Sequence, residues 1–268
     1  MDEHEKDDED KTNGLVEKPL LLDKLPYIDS FFRDQSGGHI ALDAGVALHQ
    51  FGKYFYKEHR FTFKKDYDLA LLMTGYDLQG ENKTTGVMVP EVAGLANSPG
   101  ACAQLGQSVL SVGLIEDNCG FGGVLTAAHE LAHLLGADHD NEGSLKCDDG
   151  FLMSSAHGGN TKNTYLFTNC SQEYMRLFFM TQQASCLFNF PPEDEPVPVI
   201  MPGQYTSLDE QCKKRGSIEA IDFGERVCTE LCCVIKKTLM SIEYACGTPA
   251  LDGSACGQDS VRHALNTE

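Results

Sequence analysis

Apolar residues recur with a helical period over three stretches of the chain. One residue in every three or four falls on the same face, which predicts amphipathic helices. The stretches are Ala41 to His59, Phe121 to Leu135 and Gln172 to Ala184. Along the last of them we expect a buried stripe, formed by Tyr174, Leu177, Phe178 and Thr181.

Short apolar runs predict strands between and before these helices. Asp68 to Thr74 is a continuous apolar run of the kind that forms a buried strand, and Leu110 to Glu116 is similar. A shorter run of three leucines within Leu15 to Leu25 predicts a further strand. The predicted helices and strands therefore fall within one region, residues 15–190.

Two polar segments mark the boundaries of that region. Residues 1–14 are nearly all acidic or lysine, and we expect them to be disordered. Residues 191–201 contain four prolines and three acidic side chains, which predicts an extended linker. We therefore expect a catalytic-sized domain over 15–190, a linker over 191–201 and a small, truncated module over 202–268.

Composition and charge exclude several classes of protein. The chain has 268 residues, of which 41% are hydrophobic, enough for a real core in the larger domain. A formal net charge of −19 argues against binding to nucleic acids or anionic membranes. No apolar run approaches the roughly 18 residues that a membrane span needs. The oligomeric state cannot be predicted.

Cysteine usage points to an oxidising compartment. The chain has 11 cysteines without a repeated C-x-x-C zinc pattern, which predicts a disulfide framework and a secreted protein. The charged segment Met1 to Lys11 has no apolar core of the kind that a signal peptide requires. We interpret the sequence as a fragment whose true start lies upstream; export by another route is the alternative.

The segment from His129 to Asp140 carries the clearest chemistry, with the pattern H-E-x-x-H-x-x-G-x-x-H-D. His129 and His133 are four residues apart, so both rings lie on one face of a helix and can reach one metal ion. Glu130 is placed to take a proton from the attacking water rather than to bind the metal. Gly136 allows a left-handed turn that would return His139 to the same ion.

Three nitrogen ligands with an open fourth position are typical of catalytic zinc. The alternative is an amphipathic helix whose histidines only pack or face solvent. The long pattern would arise by chance in on the order of one such chain in ten thousand. It is the metzincin signature, and metzincins also have a Met-turn. Met153 supplies one, fourteen residues after His139.

Asp140 and the surrounding cysteines make the chain resemble the reprolysin (adamalysin, ADAM-type) branch of the metzincins, and the tick salivary-gland metalloproteases in particular. The resemblance implies an α/β (α+β) catalytic domain, with a mixed sheet of five strands, a long zinc-binding helix and a cleft with zinc at its base. It also implies endopeptidase activity on extracellular proteins. The strands that open this domain in the family are not identifiable before Ala41.

The same resemblance implies further site residues. Gly94 to Ala96 would form an edge strand beside the cleft that pairs with an extended substrate, and Ser155 to Asn163 would shape the specificity pocket. Disulfides would join Cys102 to Cys186 and Cys147 to Cys170, while Cys119 has no obvious partner. A calcium site would use Asp68, Asn189 and the carbonyl of Cys186. Glycosylation patterns occur at Asn82 and Asn169.

The last part of the chain resembles the start of a disintegrin-like or cysteine-rich module. We expect this module to be truncated and short of bridges; its cysteines are Cys212, Cys228, Cys232, Cys233, Cys246 and Cys256. Two functions follow. The first is a secreted zinc endopeptidase that acts on host matrix or plasma proteins. The alternative is a catalytically impaired protease fold that binds a partner through its cysteine-rich tail.

Overall fold

The fold is described from a computed structural model of the chain. The described residues are 32–34, 40–58, 62–81, 85–90, 92–117, 121–142, 144–155, 163–189, 200–247 and 249–256. Several sequence predictions lie outside them: the disordered segment 1–14, the strand within Leu15 to Leu25, Asn82, Cys119, most of the linker and most of Ser155 to Asn163.

The first half of the chain forms two mixed sheets around one long helix. A four-stranded sheet has the order β1-β2-β4-β5, and a three-stranded sheet has the order β3-β9-β6. Their strands are β1 (Phe32–Asp34), β2 (Ile40–Asp43), β3 (Ala70–Thr74), β4 (Asp77–Glu81), β5 (Met88–Val89), β6 (Gly94–Ala96) and β9 (Val112–Glu116). A small hairpin joins β7 (Gln104–Leu105) to β8 (Ser108–Val109).

Helix α1 (Ala44–Lys57) packs its apolar face against these sheets. The predicted helix was expected from Ala41, but Ala41 to Asp43 belong to β2. The Asp43 side chain accepts a hydrogen bond from Val46 N at 3.1 Å, so it caps the helix and fixes its start. Leu48 and Phe51 enter the main core.

The three-stranded sheet positions the cleft. Central strand β9 pairs in parallel with β3 and antiparallel with β6, so β6 lies at an edge, as expected for Gly94 to Ala96. The buried strand predicted within Asp68 to Thr74 is present as β3, but it is buried only in part. Strand β3 is the opposite edge of this sheet among the described residues, which leaves Met73 59% exposed.

Helix α2 (Gly123–Leu134) packs against β9 and β6, and helix α3 (Asn169–Phe179) follows further along the chain. The α3 helix was expected from Gln172, but it begins earlier because Thr168 caps it by accepting from Ser171 N. It ends at Phe179, and a 3₁₀ helix covers Gln183–Phe188. Phe178 is buried and Tyr174 half-buried, whereas Leu177 is 47% exposed and Thr181 lies exposed beyond the helix, so the expected stripe is wrong at those two positions.

The C-terminal part is a small sheet braced by disulfides. It contains α4 (Pro202–Tyr205), α5 (Leu208–Lys214), β10 (Ala220–Ile221), a 3₁₀ helix (Gly224–Cys228), β11 (Cys232–Lys237) and β12 (Ile242–Cys246). All six cysteines of this module pair, as 212–233, 228–256 and 232–246. The expectation that it has fewer bridges than the family's module stays a prediction. Within the described residues, no helix has the length and apolar character needed to cross a bilayer.

Candidate metal centre

Helix α2 presents His129 and His133 on one face, and Gly136 ends the helix. Gly136 has a φ of 94°, and a Cβ there would lie 2.7 Å from Cβ of Phe178. The turn is closed by the Gly136 N–H to the carbonyl of His133 at 2.9 Å and the Ala137 N–H to the carbonyl of Ala132 at 2.9 Å. Glycine is therefore required both by the backbone conformation and by the space.

This turn brings the third histidine back to the first two. Nε2 of His139 lies 3.3 Å from Nε2 of His129 and 3.2 Å from Nε2 of His133. Zinc held tetrahedrally at about 2.0–2.1 Å from each nitrogen requires nitrogens roughly 3.3 Å apart. The donor set therefore fits zinc in both chemistry and spacing, and it is the one such cluster of His, Cys, Asp and Glu among the described residues.

The outer nitrogen of each ring is held by a separate acceptor. Nδ1 of His129 contacts the carbonyl of Leu152 at 2.7 Å, and Nδ1 of His133 contacts the carbonyl of Ala137 at 2.7 Å. Nδ1 of His139 contacts the Glu142 carboxylate at 3.0 Å. If Nδ1 is the protonated donor in each ring, every Nε2 keeps its lone pair for a metal. Burial also lowers the pKa of His133, which favours the neutral, metal-binding form.

Glu130 lies on the buried side of α2 and follows His129 directly in the sequence. Its side chain is 5% exposed, and burial raises its pKa to about 8. The start of β6 covers it closely, since a Cβ on Gly94 would lie 2.7 Å from Oε1 of Glu130. A carboxyl group in this environment has a raised affinity for a proton, which suits a proton-transfer role.

Met153 belongs to a small apolar cluster beside the turn that follows α2. It is fully buried and clusters with Ala132 and Ala137, which flank the turn of the metal helix. Its carbonyl accepts a hydrogen bond from Asp140 N at 3.0 Å, so the methionine segment is joined to the residue after the third histidine.

Asp140 connects several elements behind the site, a role that sequence reasoning did not assign. It is 1% exposed, and its Oδ1 accepts hydrogen bonds from the hydroxyls of Thr168 and Ser171 at the start of α3. Its carbonyl accepts from Cys147 N at 2.7 Å. The carboxylate also lies at a helix N-terminus, where negative charge is favourable. The only available signal was the Asp that ends the histidine motif.

Two disulfides brace this arrangement. The structure joins Cys102 to Cys186 and Cys147 to Cys170, with Cα separations of 5.8 Å and 6.0 Å. Closing loops of 84 and 23 residues stabilises a fold by about 3–5 kcal/mol each in the chain-entropy description.

The structure gives information on the surroundings of only some of the expected calcium ligands. Oδ1 of Asp68 is buried without a hydrogen-bond partner in the described part of the chain, as a cation ligand would be. Its neighbour Leu69 and the neighbour of Cys186, Leu187, pack against the same apolar cluster. No hydrogen bond joins Asp68 to Asn189 among the described residues, and the calcium site stays a prediction. Asn169 is exposed, and its glycosylation also stays a prediction.

Comparison with known proteins supports the same assignment. Residues 32–191 match the family described as Reprolysin (M12B) family zinc metalloprotease. The chain is 34% identical over 248 residues to a Bombyx mori protein named "A disintegrin and metalloproteinase with thrombospondin motifs like", covering 88% of this chain and 34% of that protein. It is 30% identical over 240 residues to the human protein "A disintegrin and metalloproteinase with thrombospondin motifs 6", covering 87% of this chain and 18% of that protein.

A mouse relative, "A disintegrin and metalloproteinase with thrombospondin motifs 10", is 29% identical over 204 residues, covering 73% of this chain and 17% of its own length. The chain thus spans about a third or less of the length of these relatives. The closer likeness to tick salivary-gland enzymes stays a prediction. The histidine cluster, the mixed sheets and the match over 32–191 agree, and the chain belongs to the reprolysin family of zinc metalloproteases.

Proposed function

We propose that this protein is a secreted zinc endopeptidase that hydrolyses peptide bonds in extracellular proteins, such as host matrix or plasma proteins. The observation that carries the proposal is the convergence of three Nε2 atoms, two pairs of them 3.2–3.3 Å apart, with a buried glutamate directly after the first histidine in the sequence. His129, His133 and His139 would hold the metal. When bound, zinc supplies Lewis-acid chemistry, which polarises a carbonyl and lowers the pKa of water to about 7.

Glu130 acts as the general base and then the general acid. Its carboxylate takes one proton from the attacking water as the water oxygen bonds to the scissile carbonyl carbon. It then passes that proton to the departing amide nitrogen as the C–N bond breaks. The second proton of the water stays on the new carboxyl group, so the products are a carboxylic acid and an amine. The burial of Glu130 excludes competing water from this proton transfer.

The edge strand β6 orients the substrate. An extended peptide would add a strand beside Gly94 to Ala96 through backbone hydrogen bonds, which places its carbonyl near Glu130. We further propose that residues 15–190 form the catalytic domain, that 191–201 link it to a small module over 202–268, and that calcium binds at Asp68. The match to the family over 32–191 supports this division.

The test is hydrolysis of a broad-specificity fluorogenic peptide and of casein. The zinc-loaded protein should cleave both, a chelator should abolish cleavage, and added zinc should restore it. Glu130→Gln removes the proton acceptor while keeping the shape, so we expect kcat to fall by about 10²–10⁴-fold with zinc still bound. Full activity of a zinc-loaded Glu130→Gln protein would refute the role of Glu130.

A catalytically impaired binding protein is the alternative, and the same assay separates the two. Wild-type protein that binds zinc but cleaves no peptide would favour the alternative. The complete ligand set and its intact outer hydrogen bonds favour the enzyme.

A further inference from the structure

The outer acceptor of His139 differs in kind from the acceptors of the other two rings. The rings of His129 and His133 are held by backbone carbonyls. Nδ1 of His139 instead contacts a side chain, the Glu142 carboxylate, at 3.0 Å. A carbonyl is neutral, whereas a carboxylate brings a full negative charge to the ring. The histidine motif ends at Asp140, so Glu142 was not among the site residues predicted from the sequence.

A short turn directly after the third histidine presents Glu142 to it. The Glu142 N–H donates to the carbonyl of His139 at 3.2 Å, so the chain reverses over four residues. Both central residues of the turn are fixed. Asp140 is buried and accepts from two hydroxyls at the start of α3, and the Asn141 side-chain amide donates to Oδ2 of Asp149 at 2.9 Å. The turn therefore holds the backbone of Glu142 beside the ring.

In the absence of metal, this pair should contribute little to the stability of the fold. The side chains of His139 and Glu142 are 28% and 63% exposed. Exposed charge pairs are screened by water, and both side chains lose freedom when they pair.

Metal binding at Nε2 changes that balance. The ring of His139 is then immobilised with its hydrogen on Nδ1, and the Glu142 carboxylate accepts a charge-assisted hydrogen bond from it. A carboxylate in this position also makes the imidazole a more basic ligand. The contribution of Glu142 should therefore appear in the affinity for zinc rather than in the stability of the metal-free chain.

Asp138 offers a comparison at the same place in the chain. It directly precedes His139 and is exposed, as Glu142 is. No hydrogen bond joins its carboxylate to a histidine ring in the described part of the chain. An effect of local negative charge alone would be shared by Asp138 and Glu142, whereas an effect of the ring contact would belong to Glu142.

We infer that Glu142 is a positioning residue of the metal centre, whose carboxylate keeps the His139 ring oriented with Nε2 inward and strengthens its hold on zinc. The inference rests on the proposed set of three histidine ligands. It adds a residue outside the histidine motif on which the retention of zinc depends. Of the three outer acceptors, this is the one that a point substitution can remove, since the other two belong to the backbone.

The test compares the zinc affinity of four proteins: wild type, Glu142→Gln, Glu142→Ala and Asp138→Asn. Competition with a chromogenic chelator at fixed pH and salt would give each dissociation constant. Urea unfolding of the metal-free proteins, followed by circular dichroism, would show whether the fold itself has changed. Glutamine keeps a neutral acceptor for Nδ1, and alanine removes the acceptor. Asp138→Asn removes a neighbouring charge and leaves the ring contact in place.

We expect Glu142→Ala to raise the dissociation constant for zinc by about 10–100-fold, as for loss of the outer partner of a metal ligand. Glu142→Gln should raise it by about 3–10-fold, because a neutral hydrogen bond is roughly half as strong as a charged one. Asp138→Asn should bind zinc nearly as the wild type does. All four metal-free proteins should unfold at the same urea concentration.

The inference is overturned if Glu142→Ala binds zinc as tightly as Asp138→Asn does. It is also overturned if metal-free Glu142→Ala unfolds at a lower urea concentration than the wild type, since the role of Glu142 would then be structural. Failure of the proposed function is a separate result. Zinc-loaded wild-type protein that cleaves no peptide would refute that function and leave the comparison of zinc affinities intact.

Discussion

At the scale of single residues, the site depends on which nitrogen of each imidazole faces inward. The histidine spacing was sufficient to predict that the three rings come together, because helix periodicity fixes which side chains share a face. The role of Glu130 stays a prediction. The acceptors that orient the rings were not predictable, since two of them are the carbonyls of Leu152 and Ala137. Every residue has a carbonyl, so only the folded chain reveals which carbonyls accept a hydrogen bond from a histidine ring.

The buried carboxyl of Glu130 predicts a pH dependence of the metal-free protein. Burial raises its pKa to about 8, whereas a glutamate in an unfolded chain titrates near ~4.3. Between these values unfolding releases a proton. The stability from protonated Glu130 is therefore complete below about pH 4 and is lost as pH rises to about 8.

We expect the zinc-free wild-type protein to lose stability between pH 5 and pH 8 by about 3–5 kcal/mol more than Glu130→Gln does. Urea unfolding followed by far-ultraviolet circular dichroism at several pH values measures this, since the chain has no tryptophan. The variant is its own control, because every other titrating group is shared. Parallel pH profiles for the two proteins would contradict the burial of an ionisable Glu130.

At the scale of elements, the sequence predicted the kinds of element better than their ends. The apolar run at Leu110 to Glu116 became the central strand β9, and the period from Phe121 to Leu135 became α2. The starts of α1 and α3 were misplaced by about three residues, because Asp43 and Thr168 act as caps that periodicity does not detect. The exposure of Met73 was missed because an apolar run does not distinguish an edge strand from a central one.

The turn after α2 should be the most sensitive element of the site. Gly136→Ala places a Cβ 2.7 Å from Phe178 in a backbone conformation with φ of 94°. We expect a loss of roughly 3 kcal/mol or more in the free energy of unfolding, from the strain of the left-handed conformation plus the clash. Zinc affinity should fall as well, because the turn carries His139.

Gly216→Ala is the matched control for this substitution. Gly216 also has a positive φ, 78°, but a Cβ there would meet nothing within 4 Å. Gly216→Ala should lower the free energy of unfolding only by the conformational strain, about 1–2 kcal/mol, and leave zinc binding unchanged. Chemical unfolding and a competitive zinc titration compare the two. Equal effects on zinc affinity would show that the turn does not position the third ligand.

At the scale of the whole molecule, the five disulfides among the described residues divide between the two parts, two in the metal-bearing part and three in the C-terminal part. Cysteine count predicted a disulfide framework, but counting could not predict that the last six cysteines pair completely among themselves. One of these three bridges depends on the register of β11 with β12, which sets Cys232 opposite Cys246.

The metal stoichiometry of the intact protein tests the central claim most directly. Native mass spectrometry with elemental analysis, on the wild-type protein and on His139→Ala, would measure it. We expect one zinc per wild-type chain and a much weaker, easily dialysed zinc in the variant, because a two-histidine site loses one of its three protein ligands. Wild-type protein without stoichiometric zinc, or a variant that retains it as firmly, would contradict the account.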